Sequence, residues 1–184
     1  MTEPEWLASD RPDELLFHLR HRLDDRDLRR VAAAFCRRAW DPMGQASRDA
    51  VEAAERHAAG REPASTLRDA AFAAAEVLQE ALRTLDIHVA RNGHLYHAAY
   101  AAAAACWMPG IPIERDPRRG EPEGMLDAAV RAMSHAASAV AIDRVQHHRP
   151  VEEMHAMLAE ATLDEARAQA EIVRKLFPFR PMRP

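Results

Sequence analysis

Alanine fills 39 of the 184 positions of this chain, and that excess constrains the fold more than any other feature. Alanine has the highest helix propensity, whereas sheets draw on β-branched and aromatic residues. With aromatic residues at only 5%, the composition favours helices packed close together. A chain of this length suits one compact domain, which buries roughly 70% of the surface its unfolded form exposes. It needs neither a disulfide nor a metal to fold. Twelve prolines and six glycines exclude collagen-like and low-complexity classes. No apolar run reaches the roughly 18 residues of a membrane span. The opening Met1-Thr2-Glu3-Pro4-Glu5 lacks the basic-then-apolar order of a signal peptide, so a cytoplasmic location is expected.

Periodicity divides the chain into helices. Pro4 to Leu7 reads as a short turn anchored by Trp6 and Leu7. Asp10 suits an N-cap for a helix with Pro12 in its first turn and Leu16, Leu19 and Leu23 on one side. From about Arg26 to Trp40, Leu28, Val31, Ala32, Phe35, Cys36 and Ala39 recur at steps of three and four. The other face of that helix carries Arg29, Arg30, Arg37 and Arg38. Ser47 suits a cap for a helix from about Arg48 to Ala59, with Gly60 at its C-terminal end. Leu67, Ala71, Ala74, Leu78 and Leu82 mark a long helix to about Arg91, ended by Asn92-Gly93. Further helices are predicted over His94 to Trp107, Met125 to Gln146, and Pro150 to Phe177. Thr162 and Glu165 match a capping box, which predicts a break or kink near 162.

Between them, residues 108–124 hold four prolines and three glycines and predict an irregular loop, either a connector or a binding element. Residues 178–184 predict an extended tail. The expected architecture is an all-α bundle of six to seven helices in one domain.

Charge and motifs narrow the chemistry mainly by exclusion. The net charge of −4 argues against a nucleic-acid binder, which usually carries a basic excess. Arg20, Arg22, Arg26, Arg29 and Arg30 alternate with Asp24, Asp25 and Asp27, the pattern of a salt-bridged helical corner. The chain has no Gly-x-Ser-x-Gly elbow and no glycine-rich phosphate loop. Cys36 and Cys106 form no Cys-x-x-Cys motif and read as buried small hydrophobes.

Ten histidines are the one unusual allotment. His94 and His97 share a helix face, and Glu152 and His155 have the Glu-x-x-His spacing that directs two ligands at one metal in helical bundles. These four form an alternative site for zinc or another transition metal. A second Glu-x-x-His is missing. Asp143 with His147, and His148 with Glu152, have the spacing of ordinary helix side-chain pairs. In the tail, Phe177, Phe179 and Arg180 combine aromatic and basic character on an extended backbone. They read either as a strap packed on the bundle or as a partner-binding peptide.

Glu5-Trp6-Leu7, Asp25-Arg26-Asp27-Leu28-Arg29 and Cys36-Arg37-Arg38-Ala39-Trp40 resemble the opening of an Ala-rich helical family abundant in planctomycete genomes. Val51 to Gly60 is similar to that family's second block. The closing segment Gln169 to Pro181 is also similar, without the Gly-Asn that usually precedes Pro-Phe-Arg-Pro there. The resemblance implies an intracellular helical module. It supplies no catalytic residues, because the family has no established activity.

The leading functional expectation is a non-enzymatic module acting through protein–protein contacts or self-association, with no cofactor, nucleic acid or membrane. Its candidate surfaces are the 108–124 loop, the tail and the arginine face of the 26–40 helix. The alternative is the metal-binding bundle.

Overall fold

The computed structural model describes residues 1–84, 93–111, 113, 122–145 and 151–180, with the side chains of 84 and 151–155 outside that description. Among the described residues there are eight helices and no strand: α1 (Glu3–Ala8), α2 (Pro12–Leu19), α3 (Asp25–Arg38), α4 (Gln45–Ala58), α5 (Ala64–Thr84), α6 (Gly93–Ala105), α7 (Met125–Val145) and α8 (Val151–Leu176). None is long and apolar enough to cross a membrane.

The count exceeds the expected six or seven because the Pro4–Leu7 segment is a helix rather than a turn. Thr2 and Glu5 close a reciprocal capping box, Thr2 N–H donating to Glu5 Oε2 at 2.7 Å. Those bonds satisfy two orphan donors and sustain a helix of only six residues. Trp6 is its buried anchor, while Leu7 stays 62% exposed.

Other helix starts also shift. Asp10 does not cap α2, where Arg11 stands at the cap without a side-chain bond; the Asp10 carboxylate pairs with Arg167 at 3.2 Å. Gly44 replaces Ser47 as the cap of α4, and Ser47 is buried inside that helix. The end of α4 follows the sequence: Gly60 adopts φ +71°, Gly60 N–H bonds His57 O, and Arg61 N–H bonds Arg56 O. This left-handed turn favours glycine.

No break occurs near 162. The Thr162 hydroxyl donates to Leu158 O within a continuous α8, and Glu165 is taken by Arg38. Both residues of the capping box are engaged elsewhere.

The core centres on α6 and α7, which share the largest helix interface; α3 packs against α7 next most extensively. Every residue of α6 from Ala98 to Ala105 is buried. A helix apolar on all sides belongs inside a protein. With alanine on most of that surface, no large side chain holds the neighbouring backbones apart. Ala128, Ala129, Ala132, Ala136 and Ala139 present the same small surface on α7. The largest fully buried side chains are Trp6, Tyr100, Phe35, Leu15, Leu16 and Leu67. At the start of the 108–124 segment, Ile111 and Ile113 are buried, and Gly110 adopts φ +84°. Residues 112 and 114–121, which make up most of that loop, lie outside the described residues.

Candidate functional site: an arginine-lined groove

The site begins with the carboxylates that do not neutralise it. Asp24 caps α3, accepting from Asp27 N–H at 2.8 Å, and Asp25 and Asp27 occupy the first turn of that helix. There they complement the positive end of the helix dipole. The salt-bridged corner expected from Arg20 to Arg30 does not form, because the neighbouring arginines have other partners or none. Arg20 lies over the Phe17 ring at 3.9 Å and donates to Phe17 O. Arg22 Nη1 donates to the carbonyl of Arg180 at 2.7 Å. Arg29 is buried, and its fork donates to Ala105 O at 2.8 Å and Trp107 O at 3.0 Å, closing the C-terminal end of α6. Burial lowers the Arg29 pKa, but a guanidinium stays charged in proteins.

Arg37 and Arg38, on the same face of α3, are exposed but paired. Arg37 pairs with Glu55 on α4 through two hydrogen bonds of 2.8 and 2.6 Å and stacks on Trp40. Arg38 pairs with the buried carboxylate of Glu165 on α8. Of the three exposed arginines on that face, Arg30 alone holds no carboxylate among the described residues.

Arg30 is exposed and lies where two hollows meet. One, of about 260 Å³, is lined by Leu23, Arg22, Asp27, Phe177 and Arg180 among others. The other, of about 530 Å³, includes Glu55, Ala59 and Arg61. Arg30 and Leu176 belong to both. Four arginines thus line two adjoining hollows, which together form a groove between α3 and the ends of α4 and α8. Arg30, Arg61 and Arg180 enter no ion pair among the described residues. Of the two carboxylates in its walls, Glu55 is already held by Arg37.

The tail forms one edge of this groove. Phe177 and Phe179 are half-buried against the core. The Phe179 ring lies 6.2 Å from Trp6 and stacks parallel on His18 at 6.5 Å. Of the three tail residues singled out in the sequence, the two phenylalanines are thus engaged within the chain, and Arg180 lines the groove.

Of the expected metal set, His94 and His97 have described side chains. His97 on α6 meets His135 on α7, Nδ1 to Nδ1 at 2.9 Å. Tyr100 stacks on His135 at 3.7 Å, and its hydroxyl accepts from Arg131 at 3.3 Å. His94 is half-buried one turn from His97. The side chains of Glu152 and His155, together with His88, His147 and His148, lie outside the described residues. Among the described residues no three His, Cys, Asp or Glu side chains converge to hold a metal ion.

Both cysteines are buried. Cys36 donates to Ala101 O at 3.3 Å and Cys106 to Ala50 O at 2.8 Å. Burial pushes the Cys106 thiol up to about 12 and raises Cys36 well above its ordinary value, so neither supplies a thiolate near neutral pH.

Sequence reasoning missed three of these relationships: His135 as the partner of His97, Arg29 as a helix cap, and Glu165 as a buried anion. A signal existed for the last. Glu165 lies four residues after Ala161 and five before Ala170, on the apolar stripe of α8. No protein-family model, curated protein or solved structure matches this chain.

Proposed function

We propose that the chain is a cytoplasmic, non-enzymatic helical module that works by binding another protein through the Arg22–Arg30–Arg61–Arg180 groove. One contrast supports this reading. The chemically distinctive side chains of the interior are committed to structure, as Arg29, Glu165, Cys36 and Cys106 illustrate. Arg30, Arg61 and Arg180 instead line the two adjoining hollows, with no carboxylate bound to them among the described residues. Arginine is enriched at protein interfaces because its planar fork bonds carboxylates and carbonyls in pairs. The resemblance to the planctomycete helical family belongs to the same proposal and bears on the helical fold, not on the role.

Photo-crosslinking in the native cell tests it. A photoreactive residue at position 30 is expected to give a discrete protein adduct that survives nuclease. The same residue at exposed Ala73 on α5 is expected to give none. No adduct from position 30, or equal adducts from both positions, would overturn the reading.

The metal-binding reading keeps one supporting observation, the approach of His97 to His135. Equilibrium dialysis against zinc, with His97→Ala as control, tests it. Stoichiometric zinc lost in that variant would favour a metal site.

A further inference from the structure

The groove also carries information about what it binds. Resting on its role as a contact face, we infer that its occupant is an acidic peptide segment in which carboxylates flank an apolar side chain. The cations come first. Arg22, Arg30, Arg61 and Arg180 bring four guanidinium groups to two adjoining hollows. Guanidinium forks bind carboxylates through two parallel N–H donors, a stronger and more directional contact than a neutral hydrogen bond.

The floor comes second. Its lining is more polar than apolar, and half-buried Leu23, Leu176 and Phe177 supply the apolar part. A ligand that carried only charge would leave this surface in water. An apolar side chain set between acidic ones covers it.

Asp27 comes third. This half-buried carboxylate stands in the wall between the arginines, where it repels closely spaced phosphates but can accept a hydrogen bond from a peptide N–H. Density of charge thus separates the two classes of polyanion. A peptide places carboxylates apart with donors between them, and a phosphate backbone does not.

Fluorescence anisotropy on the full chain tests this at about 50 mM salt, where exposed charges are weakly screened. The probe is a labelled Glu-Glu-Leu-Glu-Glu peptide. Its controls are Gln-Gln-Leu-Gln-Gln, Glu-Glu-Ser-Glu-Glu, inorganic phosphate and duplex DNA. We expect saturable binding of the acidic probe, at least about tenfold weaker with the Gln or Ser analogue. Arg30→Glu and Arg180→Glu should each weaken it about tenfold. Arg68→Glu, on α5, should leave it unchanged. Both groove arginines are exposed, so thermal melts of the variants should match the parent. Equal binding of the Gln or Ser analogue, or indifference to Arg30→Glu, overturns the inference. Duplex DNA or phosphate displacing the probe at lower concentration than unlabelled probe also overturns it, in favour of a phosphate ligand. If the probe fails while position 30 still crosslinks to a protein, the acidic class falls and the contact face stands. If both fail, both fall.

Discussion

Arg38 on α3 holds the fully buried carboxylate of Glu165 on α8 in a two-pronged grip, Nε to Oε1 at 3.0 Å and Nη2 to Oε2 at 2.8 Å. The pair ties together two helices far apart in sequence, and it holds the tail-bearing α8 against the helix that supplies Arg30. Its energetics are asymmetric. Arg38 keeps 36% of its side chain in solvent, whereas Glu165 has none to fall back on. Removing Arg38 strands a buried anion. Arg38→Met should therefore cost about 2–3 kcal/mol, between the values for exposed and fully buried pairs. The double variant Arg38→Met/Glu165→Leu should recover at least half of that loss. Urea denaturation of the single and double variants measures both.

The alanine surface of α6 makes a second prediction. Ala102 is fully buried within a helix surrounded by α3, α4, α5 and α7. Ala102→Leu adds a side chain where the packing leaves no room and should destabilise the fold by about 1–3 kcal/mol. The same change at exposed Ala73 should stay within about 0.5 kcal/mol of neutral. Thermal melts of the two variants make the comparison. An equal response would show that α6 does not depend on small residues.

The docking of the tail should be acid-sensitive through His18. Burial, the N-terminal ammonium, Arg22 and Arg20 all lower the His18 pKa. The folded protein therefore binds this proton less tightly than the unfolded chain, whose histidine titrates near ~6.5. Stability from His18 is complete above that pH and declines as pH falls through the lowered folded value. Protonation also places charge beside Phe179 and Trp6. The melting temperature should fall from pH 7 to pH 5, and His18→Gln should flatten that slope. A slope unchanged in the variant would remove His18 from the account.

His97 and His135 make a prediction about tautomers. At 2.9 Å between Nδ1 atoms, one ring must donate and the other accept. Long-range nitrogen–proton NMR at neutral pH should show one of the two rings protonated at Nδ1. His135→Ala should erase that signal and cost about 1–2 kcal/mol, for a lost hydrogen bond and lost stacking on Tyr100. Two Nε2-protonated rings in the parent protein would contradict the pairing.

Local physics makes much of this fold legible in the order of the residues. The stripe Leu28–Val31–Ala32–Phe35–Cys36 of α3 and the stripe Leu67–Ala71–Ala74–Leu78 of α5 are buried as their spacing requires. Gly60 ends α4 because few other residues accept positive φ. Where sequence and fold part, a local motif has a distant competitor. Thr162 and Glu165 have capping-box spacing, yet Arg38, 127 positions from Glu165, takes the carboxylate. The aspartates interleaved with arginines at 24–30 have the spacing of a charge-paired corner, yet Asp24 bonds the α3 backbone and Arg29 reaches Ala105 and Trp107.

By itself, then, the sequence determined the helical class, the apolar stripes and the α4 terminator, because propensity and the 3.6-residue period act over a few neighbouring residues. Only the tertiary structure decided which arginines are spent and which are left over. Charges find partners through space, and the partners of Arg29, Arg38 and Arg22 lie 76 to 158 residues away. No local pattern encodes those encounters, and the groove around Arg30 is what remains once they have been made.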